Sequence, residues 1–115
     1  MNGCDVMNIG VVGSRNRFDK EYIHEVLDGF IKKGDVIVTG GATGVDTIAL
    51  DYAVDRVIEI HEHFPAPPDY HSRNVKIATE CEILLAFPGK QSRGTWDTVN
   101  VARKLGRRVI VFEVK

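Results

Sequence analysis

Cysteine is scarce in this chain of 115 residues: there are two, Cys4 and Cys81, neither in a CxxC and neither spaced with histidine as in a zinc site. A disulfide scaffold and a structural zinc are therefore not expected, and both side chains read as free thiols in a reducing cytosol. No apolar run approaches the ~20 residues of a membrane span. The opening MNGCDVMNIGVVG has neither the basic region nor the long apolar run of a signal peptide, so a cytoplasmic protein is expected. An excess of one charge is missing as well: 15 Lys and Arg stand against 16 Asp and Glu, a net charge of −1. Bulk electrostatic capture of nucleic acid is not predicted from that balance, and only a local basic patch stays open. Internal repeats, low-complexity segments and linkers are absent from the sequence, and its length suits a single domain spanning 1–115.

What the chain does contain is a regular alternation of short apolar runs with segments of helical period. Asn8 to Val12 reads as a strand ending at Gly13. Lys20 to Lys33 reads as a helix, with Asp19 as its cap and Gly34 as its stop. Asp35 to Thr39 is the second strand, Val45 to Ala53 the second helix, and Val57 to His61 the third strand. Pro65, Pro67 and Pro68 break regular structure before a third helix from Ser72 to Thr79. Glu82 to Phe87, Gly94 to Leu105 and Arg108 to Phe112 complete a βαβαβαβαβ order. Nearly continuous apolar strands between helices imply an α/β, Rossmann-like, doubly wound five-stranded parallel sheet with helices on both faces. The expected strand order is 3-2-1-4-5, with right-handed crossovers.

In such a sheet ligands lie at the carboxyl ends of the strands, where the strand order reverses. Three loops meet that description. The first is Gly13-Ser14-Arg15-Asn16-Arg17, a glycine with a hydroxyl and a guanidinium suited to an anion. The second, Gly40-Gly41-Ala-Thr-Gly44, opens a helix whose first turn carries Asp46. It is neither a Walker A loop nor GxGxxG, but its exposed amides suit an anion. The third is Phe87-Pro-Gly89-Lys-Gln-Ser92-Arg-Gly94-Thr95, where glycines and hydroxyls precede a helix start. Lys90 and Arg93 either add charge there or face water. Asp46 and Asp97 each read as a cap or as a carboxylate turned inward. Trp96, the only tryptophan, reads as core or partner surface, with base stacking the minority alternative.

Together these loops, with Arg73-Asn74 on the third helix, resemble the SLOG superfamily, which joins the Smf/DprA proteins to the LOG phosphoribohydrolases. The likeness runs from Ile9 to Val114 and is nearest the small branch related to YpsA and YspA. The resemblance implies a site for a nucleotide or nucleotide-derived ligand. Its phosphate would lie on Gly89, Ser92, Gly94 and Thr95, with Gly40, Gly41, Gly44 and Arg73 around it. LOG enzymes read PGGxGTxxE; here four residues separate Gly89 from Gly94, and Thr98 stands where they place a glutamate. Asp97 is one position early, about 100° around the helix, so the LOG cleavage chemistry does not carry over.

Three functions follow as expectations. The favoured one is a module that binds or senses a nucleotide-derived small molecule through Gly13, Ser14, Arg15, Arg73, Asn74 and the glycine loops. The alternative is hydrolysis of the N-glycosidic bond of a nucleoside monophosphate, with Asp46 and Asp97 as the catalytic carboxylates. Single-stranded DNA binding is the weakest, because nine aromatics in a near-neutral chain show no stacking platform; nucleic acid is not expected as a partner. A homo-oligomer, by family likeness a dimer, is expected, and no cofactor. His61 and His63 could pair on one strand face but lack a third ligand, so no metal is expected. His71 is placed to approach the ligand, His24 to face water, and Arg103, Lys104, Arg107 and Arg108 to complement a helix end.

Overall fold

The computed structural model describes residues 6–65 and 69–113. The readings of Cys4, Pro67, Pro68 and Val114 lie outside them. Nine elements follow one another: β1 Asn8–Gly13, α1 Lys20–Phe30, β2 Val36–Thr39, α2 Val45–Arg56, β3 Glu59–Glu62, α3 Tyr70–Glu80, β4 Ile83–Phe87, α4 Arg93–Lys104 and β5 Arg108–Val111. All strand pairs are parallel, and the order is β3-β2-β1-β4-β5, as the sequence predicts.

The period-2 alternation of strand side chains sorts the core into two layers. Ile9, Val11, Ile37, Ile83, Leu85 and Phe87 face α1 and α2. Val12, Val38, Leu84 and Ala86 face α3 and α4, against Ile77, Ala78, Val99 and Ala102. Ile23 and Leu27, both fully buried, fasten α1 to the first layer, each contributing about 1.5–3 kcal/mol relative to exposure. Cys81 is a buried free thiol behind the second layer, and burial pushes its pKa up to about 11.

Several element ends shift by a few residues from the sequence reading, and three points there have a clear physical cause. Helix α1 stops at Phe30 rather than Lys33, because Ile31 turns extended to bury its side chain. Asp19 makes no cap bond to α1, since its carboxylate is held by Arg17. Val57 does not begin β3. It closes α2 in the left-handed conformation (φ 56°, ψ 48°), almost fully exposed.

With β1 central and β4 beside it, the strand order reverses between them. Gly13 pairs with Phe87 at the carboxyl end of that seam. The loops that follow β1, β2 and β4 therefore emerge together at one edge.

Candidate functional site

At that edge lies a cleft of about 490 Å³. Its walls bring together Ser14 and Arg15 after β1, Asp46 at the start of α2, Arg73 and Asn74 on α3, and Ser92, Gly94 and Thr95 at the start of α4. Gly13 lines it too, while Gly40, Gly41, Gly44, Asp97 and Gly89 do not.

The four helix starts differ in what satisfies them. Helix α1 carries Glu21 and α2 carries Asp46 in the first turn, and Asp69 caps α3 by accepting from the Ser72 amide at 3.0 Å. Helix α4 has neither a side-chain cap nor an acid in its first turn. Its first intrahelical bond is donated by the Trp96 amide to Ser92 O (3.0 Å), which leaves the Arg93, Gly94 and Thr95 amides without partners among the described residues. Open space surrounds the position of a Gly94 Cβ. The Ser92 hydroxyl, which could have capped α4, instead accepts from the Gly89 amide at 2.7 Å. Unmet amides and the helix dipole together make a positive end facing the cleft.

Loop two behaves otherwise. Gly44 sits at φ +74°, and a Cβ there would lie 2.3 Å from Ser14 O, so both its conformation and its surroundings call for glycine. This close approach lets Ser14 O accept from the Val45 amide at 3.2 Å. The Ala42 amide donates to Asp46 Oδ2 at 3.1 Å. Two of that loop's amides, those of Ala42 and Val45, are thus occupied by the chain's own acceptors. At Gly40 a Cβ would lie 2.2 Å from Arg73 Nη1. Arg73 donates to Gly40 O at 2.7 Å, and its Nε donates to Asn74 Oδ1 at 2.8 Å, so the guanidinium is fixed at the cleft wall. Arg15 and Arg93 are exposed at the rim.

Among the described residues Asp46 is the one carboxylate lining the cleft, and it is 5% exposed. Burial raises its pKa from 3.8 to about 6, against the lowering effects of the Ala42 amide, the Thr39 hydroxyl and Arg73. Among the described residues its Oδ1 has no hydrogen-bond partner. Asp97 does not join it. The Asp97 carboxylate accepts from Asn74 Nδ2 at 3.0 Å and meets His71 Nδ1 at 2.8 Å, tying α3 to α4 outside the cleft. The expected pair of catalytic carboxylates is therefore not assembled, and His71 is engaged by Asp97 rather than by the cleft.

Sequence reasoning missed two features. Arg17, 5% exposed, joins loops one and three by donating to Pro88 O at 3.2 Å and to Phe112 O, with its guanidinium 5.5 Å from the Phe87 ring. The only sequence cue was Asp19 two residues on. Tyr70 and Phe64 form an exposed aromatic rim, Tyr70 lining the cleft and Phe64 lying over Gly41. Composition cannot separate such aromatics from core ones. His61 and His63 both meet Glu80, joining β3 to α3. Arg107 donates to Ala78 O and Thr79 O at the carboxyl end of α3.

A parallel 3-2-1-4-5 sheet with a cationic, glycine-framed cleft at its switch point defines a Rossmann-like domain of the SLOG, Smf/DprA type. The family model for DNA recombination-mediator protein A matches residues 2–60, and the chain belongs to that family. No curated protein matches it. Among solved structures, DNA processing protein A from Streptococcus pneumoniae is similar at TM-score 0.78 and 21% identity, over 92% of this chain and 50% of that one. DNA processing protein A from Helicobacter pylori, described with a single-stranded DNA binding mode, is similar at 0.74 and 19%, over 95% of this chain and 66% of that one. TM1055 follows at 0.71 and 16%, over 90% and 72%. The chain thus spans about half of the first relative's length and just under two thirds of the second's.

These findings overturn the expectation that nucleic acid is not a partner type for such a chain. The physical reason is local. A net charge of −1 sums the whole surface, whereas a ligand at the cleft meets Arg15, Arg73 and Arg93 together with an exposed aromatic. Among the described residues no helix is long and apolar enough to cross a membrane.

Proposed function

We propose that this chain binds single-stranded DNA, placing one phosphate of the strand in the cleft at the start of α4. The observation that carries the proposal is that α4 is the one helix of the four whose positive end is neither capped by a side chain nor faced by an acid in its own first turn, and Arg15, Arg73 and Arg93 surround it. Backbone amides and guanidinium groups grip phosphate whatever the base. Exposed Tyr70 and Phe64 add apolar faces on which a base can stack. The family membership and the single-stranded DNA binding described for the Helicobacter pylori relative agree with this assignment.

The test is fluorescence anisotropy of a labelled oligo-dT over a range of salt. Saturable binding that weakens with salt is expected. Gly94→Val, whose side chain enters open space and so spares the fold, should weaken binding at least about tenfold by keeping phosphate off the amides, a loss of ~1.4 kcal/mol. Wild-type affinity in that variant would refute the assignment of the phosphate to α4.

One observation favours a second reading, a discrete nucleotide-derived ligand in the same cleft. The buried Asp46 Oδ1 lacks a donor, and a ribose hydroxyl or base N–H could supply one. On the paired GGATGVD and PG…SRGT motifs we place the chain nearest the YpsA- and YspA-related branch, which accords with such a ligand. Turnover of a nucleoside monophosphate would have to proceed with Asp46 alone. Incubation with nucleoside monophosphates and chromatography for free base decides it, and release abolished by Asp46→Asn is the positive result.

A further inference from the structure

Beside the cleft, across the ridge Gln91-Ser92-Arg93, lies a second and more open cavity of about 850 Å³. The two share only that ridge. The second is lined by Lys90, Trp96, Asp97 and Asn100 as well. Trp96 is half-buried: it packs against the second core layer while also facing this cavity. Lys90, Arg93 and Asn100 are exposed around it. The cavity therefore has an indole held by the core, two cations on its rim and an amide able to donate and accept. Asp97, the one acid lining it, already has its carboxylate engaged by His71 and Asn74.

We infer that this cavity is a second nucleotide subsite, in which the base neighbouring the cleft-bound phosphate stacks on Trp96 while Lys90 and Arg93 meet the next phosphate. The inference rests on the reading that the cleft takes a strand phosphate. It adds that the strand crosses the Ser92-Arg93 ridge rather than leaving past Tyr70. Single-stranded nucleic acid fits the chemistry because it alternates what the cavity offers, a flat apolar face next to an anion. A duplex does not present its base faces, and a mononucleotide is too short to occupy both cavities.

Trp96 is the only tryptophan, so its fluorescence reports on this cavity alone. The test titrates thymidine monophosphate and a long oligo-dT while following that emission, with binding measured independently by calorimetry. Oligo-dT should quench Trp96, and the monophosphate should bind without quenching it. Trp96→Ala should weaken oligo-dT about tenfold, within the range of one lost stacked base, and leave monophosphate affinity unchanged. Trp96→Phe should retain most of the oligo-dT affinity, separating stacking from any loss of packing, and Lys90→Gln should lower the salt slope for oligo-dT by about 0.7. Oligo-dT binding that neither quenches Trp96 nor responds to Trp96→Ala overturns the second subsite and leaves the cleft assignment standing. Failure of wild-type protein to bind oligo-dT at all overturns both.

Discussion

Replacing Asp46 by asparagine should change how the stability of the fold depends on pH. The side chain is 5% exposed, only Oδ2 has a partner, and its pKa is raised from 3.8 to about 6. For an acid whose folded pKa lies above its unfolded one, the favourable contribution is complete below about 4 and is lost as pH rises through 6. Two units correspond to a full amplitude of about 3 kcal/mol, of which about 2 kcal/mol develops between about pH 4.5 and about pH 7.5. Asparagine keeps an oxygen for the Ala42 amide but leaves its own amide nitrogen to be satisfied, a pH-independent cost of about 1–3 kcal/mol at most. Comparing variant and wild type at the two pH values cancels that cost. Urea denaturation should therefore show the variant gaining about 2 kcal/mol on wild type from the acidic to the neutral condition. An equal stability difference at both pH values would refute the burial of a titrating carboxylate. The same proton bears on binding, since a phosphate in the cleft favours the neutral acid. Wild-type affinity for oligo-dT should fall as pH rises through about 6, and Asp46→Asn should flatten the profile.

Two further outcomes concern the frame around the cleft. Gly44→Ala meets both a left-handed φ and a Cβ 2.3 Å from Ser14 O, so it should destabilise by more than about 2 kcal/mol in urea denaturation; a loss under half of that would show that loops one and two are not held together there. Glu80→Gln should cost roughly 1 kcal/mol or less, because the His61 side chain is 41% exposed and screened. Hydrogen bonds donated by the His61 ring to Glu80 and then to Glu59 raise its pKa above 6.5. The wild type's advantage is therefore complete below that value and lost as pH rises through the raised one. A gap that widens with rising pH would exclude the histidine clamp.

The sheet was legible because each strand is a short apolar run between helical patterns, and because right-handed crossovers leave few strand orders. Its boundaries were less so. Gly34 looks like the stop of α1, yet the helix ends at Phe30 because the tertiary core claims Ile31, a demand that periodicity does not express. At the site, residue types and positions were readable: Ser14, Arg15, Asp46, Arg73, Asn74, Ser92, Gly94 and Thr95 do meet in one cleft. Hidden from the sequence was which donors remain free. The Val45 and Ala42 amides have acceptors that arrive from Ser14 and from Asp46, and only tertiary structure brings Ser14 to them. Arg17 was hidden for the same reason, since its partners Pro88 and Phe112 lie 71 and 95 residues further along the chain.

The expectation against nucleic acid failed for a different reason: charge was counted rather than located. The starts of α1, α2 and α3 are each answered by an acidic residue of the chain, Glu21, Asp46 and Asp69. Such pairing neutralises local fields and is part of what brings the sum near zero. It also makes the exception meaningful. At α4 the chain supplies glycine and threonine, and its nearest acid, Asp97, is turned aside to Asn74 and His71. A buried or rim-bound positive end without an internal counterion is stabilised by whichever anion arrives. A strand of nucleic acid supplies such an anion at every residue, so a net charge of −1 does not exclude it at a helix start whose following acid, Asp97, is engaged by Asn74 and His71, with Asp46 left as the acid lining the cleft.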